Sequence, residues 1–229
     1  MASRVEYVRE KASGSLEVAL SGGLRFSFDS IDAQLLGHRL EPEKGRMFIR
    51  DEHALELQKG NLIENDEALV LETMHALHTA RAYALRIVSR AEQGSRQLYE
   101  KLINKGYSAE LARRTVSWMH ELGYVDDIRY IQLLFQARCV RKGQGPHSIR
   151  KSAWSRIGLF NSAQSIFSEA FASIERIDMM RAIKKCAEHL MKHDNSMTRG
   201  TLSARLKKQG FPAYAITSYF ESAETKFDQ

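Results

Sequence analysis

Two kinds of apolar spacing divide the chain. Up to about residue 70 the apolar positions alternate or come in short bursts. In SLEVALSGGLRFSFDS, Leu16, Val18 and Leu20 alternate, then Leu24, Phe26 and Phe28, with Ser21-Gly22-Gly23 between them. Alternation on both sides of a glycine turn predicts a β-hairpin. SIDAQLLGHRL, following Asp29, predicts a short helix stopped near Gly37, Met47-Phe48-Ile49 predicts a further short strand, and Gly45 and Gly60 read as turns. Together these make a small mixed module over residues 1–64.

From about Asn65 the apolar steps become three and four, the period of a helix. Asn65 or Asp66 is a candidate N-cap, and Leu69, Val70, Thr73, Leu77 and Ala80 form a stripe that Tyr83, Ile87 and Val88 carry on. Ser95 is placed to cap a second helix holding Leu98, Leu102 and Ile103, with Gly106 as a left-handed stop and Tyr107 closing over the end. Ser108 caps a third, with Leu111, Thr115, Met119 and Leu122 on one stripe and Gly123 ending it.

That unit recurs. Among 14 glycines, Gly106, Gly158 and Gly210 stand 52 residues apart, followed by Tyr107, Leu159 and Phe211. Four residues before them lie Leu102, Trp154 and Leu206; eight before lie Leu98, Arg150 and Leu202. The middle copy departs at Arg150, with Ile149 one position off. Longer helices precede the later copies, DDIRYIQLLFQARCVRKG (Ile131, Leu134, Phe135, Arg138) and DMMRAIKKCAEHLMKH (Met180, Ile183, Ala187, Leu190). NSAQSIFSEAF and AYAITSYFESA supply their final helices. The expected fold is mainly α: an elongated array of three tandem three-helix repeats over 65–125, 126–175 and 176–229, preceded by the small hairpin-containing module. Each of the three glycines is expected to end a second helix. Arrays of this kind serve chiefly as binding surfaces.

Composition adds limits. With 43% hydrophobic and 27% charged residues the 229-residue chain reads as an ordinary soluble protein. Three prolines leave long stretches free to be helical. MASRVEYVREKASG lacks the apolar core of a signal peptide, and no apolar run approaches membrane-spanning length, which predicts a cytoplasmic protein without membrane contact. Cys139 and Cys186 lie 47 positions apart with no CxxC and read as free thiols of a reducing compartment.

The charge is unevenly placed. Residues 1–79 hold 9 Lys/Arg against 14 Asp/Glu, residues 80–158 hold 15 against 6, and residues 159–229 hold 10 against 8. The middle third, at +9, points to an anionic partner such as nucleic acid or an acidic protein face. The acidic first third makes a poor nucleic-acid binder by itself.

Catalytic signals are sparse. Glu72, His75 and His78 share a helix face at three-residue steps and could offer metal ligands, but a solvent-facing polar stripe is the commoner meaning. Asp126-Asp127 stands where a helix begins, and capping explains the pair without a metal. Gly145-Pro146 reads as a turn and first helical position; RKGQGPHS has neither the spacing nor the lysine of a phosphate loop. GxSxG and HExxH are absent. No catalytic residue, cofactor or metal is expected.

Three strings carry a resemblance. LYEKLINKGY (98–107) after Ser95, ELGYVDDIRY (121–130) and RKGQGPHSIRK (141–151) together resemble the RecX family of bacterial regulators of the RecA recombinase, well over residues 80–151 and less specifically to the C-terminus. The hairpin module also looks like the extra module of some members. The resemblance implies a non-enzymatic regulator that binds along the groove of the RecA–DNA filament and inhibits strand exchange and coupled ATP hydrolysis. It implies weak, non-specific contact with single- or double-stranded DNA. The basic residues it makes candidates for filament or DNA contact are Arg86, Arg90, Arg96, Lys101, Lys105, Arg113 and Arg114 in the first repeat, and Arg138, Arg141, Lys142, Arg150 and Lys151 in the second. Lys207 and Lys208 are weaker candidates. RKSAWSRIGLF departs from the family, which more often has a leucine and then a basic residue before the glycine. A monomer is expected.

Two alternatives stay open. A helix-turn-helix regulator would bind one duplex sequence, usually as a two-fold dimer. A structural adaptor docking through the acidic module would not bind nucleic acid at moderate salt.

Overall fold

The computed structural model describes residues 2–43, 46–50, 54–192, 194 and 197–222. They divide into two units: Met1–Arg90 with Lys101–Glu121, and Ala91–Glu100 with Leu122–Gln229.

The first unit begins with strands β1 (Ser3–Glu10), β2 (Leu16–Leu20) and β3 (Leu24–Phe28), then helix α1 (Ser30–Leu35). Strands β4 (Arg39–Glu43), β5 (Arg46–Arg50), β6 (Ala54–Leu57) and β7 (Leu62–Ile63) follow, and helix α2 (Asn65–Val88) covers them. One sheet has the order β3-β2-β1-β7, the other β4-β5-β6. The hairpin read from alternation is β2–β3, in register from Leu20↔Leu24 to Leu16↔Phe28. The short helix stops at Gly37, and Gly37 and Gly60 both take positive φ. Met47-Phe48-Ile49 lies in β5 as expected; the turn read at Gly45 lies outside the described residues.

Sequence pattern missed β1, which pairs with both β2 and β7. Its alternation is broken by a register shift between Val5 and Tyr7, so the apolar residues stand at Val5 and Val8 instead of two apart. Helix α2 keeps only part of the expected stripe, with Leu77 and Ala80 buried. Its buried line runs through Leu71, Met74, Leu77, Ala80, Arg81 and Ala84, while Leu69 is 60% exposed. The helix is entered at Glu64, whose N–H donates to the Glu67 carboxylate (2.7 Å), rather than at Asn65 or Asp66. Leu71 and Met74 join Val18, Leu20, Phe28, Ile49, Leu57 and Ile63 in one core, which makes the first half of α2 the roof of the strands.

Three sets of helices recur after the strands. To α2 are added α3 (Ser95–Asn104) and α4 (Ala109–Glu121). The second set is α5 (Asp127–Phe135), running on into a π-helical turn at Gln136–Val140, then α6 (Pro146–Ala153) and α7 (Ala163–Ala172). The third is α8 (Arg176–Lys192), α9 (Arg199–Lys208) and α10 (Ala213–Ser222). Gly106, Gly158 and Gly210 all have positive φ, at 101°, 83° and 93°.

Two of these glycines make the same stop. The Gly106 N–H donates to Ile103 O and the Tyr107 N–H to Leu102 O; Gly210 and Phe211 repeat this with Lys207 O and Leu206 O. The middle copy does not. Helix α6 ends at Ala153, and the Gly158 N–H donates to Asp127 Oδ2 (2.9 Å). The physical reason is a one-residue slip. Leu98 and Leu102, like Leu202 and Leu206, are buried; in α6 the buried pair is Ile149 and Ala153, which turns Arg150 and Trp154 outward.

The second and third helix sets share a core. Ile131, Phe135, Cys139, Ile149, Ile157 and Phe167 lie in the same apolar cluster as Ile183, Cys186, Leu202, Leu206 and Phe220. Both cysteines are buried free thiols, and burial pushes them up, Cys139 to about 12 and Cys186 to about 11. Inert, protonated thiols result.

Candidate nucleic-acid interface

Asp126 and Asp127 do different jobs. Asp126 caps α5 by accepting from the N–H groups of Ile128 (2.8 Å) and Arg129 (3.0 Å). Asp127 turns back to α3, accepting from the Ser95 N–H (2.7 Å), the Ser95 hydroxyl (2.6 Å) and the Gly158 N–H. Ser95 Oγ in turn accepts from the Leu159 N–H (3.1 Å), and the Gln97 N–H donates to Arg156 O (2.9 Å). The start of α3 is thereby tied to the segment 156–159. Ser95 is not the cap read from sequence: the Leu98 N–H reaches Gly94 O, and Gly94 lies so close to Arg156 that a Cβ there would stand 2.2 Å from its carbonyl oxygen. Ser108 does cap α4, accepting from the Leu111 N–H.

This framework sorts the basic candidates. Arg96 donates to Ile157 O (3.3 Å) and Gly158 O (2.9 Å), so it belongs to the tie itself. Arg138, half-buried in the π turn, donates to Ser152 Oγ (2.7 Å) and Ser148 O and braces α6. In the first unit, Arg114 donates to Leu35 O and pairs with Glu110. Arg86 lies over the Tyr83 ring, 5.3 Å from its centroid, with Lys105 Nζ at 6.0 Å and Tyr107 beside the same ring. Arg90 and Arg113 are exposed, and Lys101 is half-buried in the last turn of α3.

In the second unit Arg141 and Lys142 are exposed after the π turn, and Arg150 and Lys151 on α6. Between Asp127 and Glu169 the sequence holds seven Lys/Arg and no Asp or Glu. Trp154 and Arg156, absent from the sequence-based set, stand in this acid-free stretch, Arg156 with its guanidinium on the Tyr130 hydroxyl (3.3 Å). The repeat comparison sets Trp154 beside Leu102 and Leu206 as a large apolar position, which gives no sign of its exposure.

The histidine face of α2 serves the fold of the first unit. His75 Nδ1 meets the backbone of Ser27, and His78 Nδ1 lies 2.8 Å from Asp32 Oδ2, so neither ring belongs to a solvent-facing stripe. Oxygens of Asp29 and Asp32 and a His78 nitrogen lie within 4.8 Å of one another, a spacing that would admit a cation. A cation is already there: Arg81 donates to Asp29 Oδ1 (2.8 Å) and Asp32 Oδ1 (2.6 Å), beneath the Trp118 ring. Burial pushes the Asp29 carboxyl up, but the Asp32 backbone N–H and Arg81 outweigh it and hold the group below the usual range.

Fold and sequence together describe a mainly helical protein with a basic middle and an acidic, strand-bearing start. The family model described as "RecX, first three-helix domain" matches residues 80–119. Regulatory protein RecX of Clostridium tetani is 23% identical over 167 residues, 67% of this chain and 74% of that protein. RecX of Vibrio cholerae serotype O1 is 41% identical over 76 residues, 33% of this chain and 49% of the relative. The chain thus spans about three quarters of the first relative and about half of the second. A crystal structure of regulatory protein RecX superposes with a TM-score of 0.63 at 15% identity, over 96% of this chain and 99% of that one, which shows a common fold. In sequence over part of its length, and in fold, the chain is similar to RecX regulatory proteins. Among the described residues, no helix is long and apolar enough to cross a membrane.

Proposed function

We propose that this protein regulates a RecA-type recombinase by binding its nucleoprotein filament, lowering strand exchange and the coupled ATP hydrolysis, and that it performs no catalytic step of its own. Weak, sequence-independent contact with DNA accompanies filament binding. Similarity to RecX regulatory proteins supports the partner. The observation that carries the DNA contact is the acid-free stretch from Ile128 to Ser168, in which Arg141, Lys142, Arg150 and Lys151 are exposed and, among the described residues, in no ion pair. Cations without neighbouring carboxylates are available to phosphates, and release of condensed counterions drives such binding.

The test is the single-strand-dependent ATPase of the cognate recombinase, titrated with this protein below one copy per recombinase subunit. A progressive fall is expected. The variant Arg113→Ala, Arg141→Ala, Lys142→Ala should need about fivefold more protein for the same effect. Its own DNA binding should show a shallower salt dependence, by about 0.7 in log–log slope per lost contact on single strands. Unchanged ATPase at low and moderate salt would sink the inhibitory reading, and selection of one duplex sequence would favour a helix-turn-helix regulator.

A further inference from the structure

The slip in α6 leaves an aromatic ring where the other copies bury a leucine. Trp154 is 48% exposed, against complete burial of Leu102 and Leu206. One face of its indole is stacked on Phe167, ring centroids 5.7 Å apart and planes 11° from parallel. Phe167 is itself fully buried, so the indole rests on a fixed base, and its exposed half is turned away from the core. Arg150 is held over the same Phe167 ring, 5.2 Å from its centroid. His147, Arg150, Lys151 and Trp154 stand at i, i+3, i+4 and i+7 and are all exposed, so they line one face of α6 and its C-cap.

An exposed indole loses the free energy its burial would give, and a solvated basic face needs no ring in its midst. The combination fits one ligand chemistry: a flat apolar surface for an unpaired base, with two cations one helical turn before it for its phosphates. Bases inside a duplex are already stacked on each other and offer only their edges. We propose that Trp154 is a base-stacking platform for single-stranded nucleic acid, with Arg150 and Lys151 as its phosphate contacts. The inference rests on the DNA contact proposed above, but not on any effect on a recombinase.

The test uses the full chain with no recombinase present. Tryptophan emission is titrated with a short oligothymidylate, with an abasic strand of equal length, and with a duplex. Quenching by the oligothymidylate is expected, with about tenfold weaker binding of the abasic strand and of the duplex. Trp154→Ala should abolish the quenching, leaving Trp118 unresponsive, and weaken binding about tenfold, within the range of a single base–aromatic stack. Trp154→Phe should bind within about threefold of wild type, because a ring remains on Phe167. Equal affinity for the abasic strand overturns the proposal on the unmodified protein, whatever the folding of the alanine variant. Quenching that persists in Trp154→Ala, or unchanged affinity in a folded Trp154→Ala, overturns it too. Absence of all nucleic-acid binding also overturns it, while the recombinase ATPase still decides the proposed function separately.

Discussion

At the scale of single residues, the most constrained group is the ion cluster of the first unit. Asp32 is fully buried, and it accepts from Arg81 while lying against His78. Such a carboxylate is tolerated only because its partners are fixed. The Asp32 carboxylate, 2.8 Å from Nδ1, raises the His78 pKa above its ordinary 6.5; burial opposes this, Asp29 adds attraction, and Arg81 opposes. From pH 6.5 up to the raised value the folded chain holds a proton that the unfolded chain lacks. That stabilisation is complete below 6.5 and is lost as pH rises through the folded value. The urea midpoint should therefore fall from pH 6.5 upward, and His78→Gln should flatten the fall. Identical pH curves for the two proteins would remove His78 from the account. Sequence showed only a helix carrying Glu72, His75 and His78 at three-residue steps; the acids that claim His78 lie 46 and 49 positions earlier on α1 and its cap, a distance no local pattern spans.

At the scale of elements, the second helix of each set shows what a repeat conveys and what it hides. Gly106 and Gly210 were legible because their role is local: a left-handed residue whose N–H and that of its neighbour close the last turn. Gly158 keeps the spacing and the positive φ, but its partner is Asp127, 31 residues back, so its place in the tie to α3 could not be read from the repeat. The same tie misled the reading of Ser95 as a cap and left Gly94 unnoticed. A methyl at Gly94 must displace the Arg156 backbone, whereas one at Gly106 meets open space and suffers only from a φ of 101°. Gly94→Ala should cost about 3 kcal/mol or more, the upper range for overpacking, and Gly106→Ala about 1 kcal/mol for the left-handed backbone. Chemical denaturation of both variants checks this. Equal losses would mean that the contact between Gly94 and Arg156 yields without strain.

At the scale of the molecule, three similar helix sets do not make three similar bodies. The first set lends the start of α2 to the strand core, through Leu71 and Met74. The second and third contribute to one apolar cluster, in which Ile131, Phe135 and Ile149 stand with Ile183, Leu202, Leu206 and Phe220. Apolar stripes reveal which face of a helix is buried but not which neighbour buries it, and so the helical character of this half was legible while the sharing of the core was not. Sharing has a consequence for cooperativity. A chain ended after Glu175 keeps every residue of α5, α6 and α7 yet loses Met179, Ile183, Cys186, Leu202, Leu206 and Phe220 from the same core. In the second set α6 and α7 are 8 and 10 residues long, and α5 has 9 residues before its 5-residue π turn, all too short to persist in water without tertiary packing. Hydrogen exchange should therefore show the amides of Ile131, Phe135 and Ile149 unprotected in the shortened chain, while those of β1, β2 and β3 keep their protection in the other unit. Full protection of the α5–α7 amides after truncation would mean that the second set folds alone, with the shared cluster only a later association between two finished bodies.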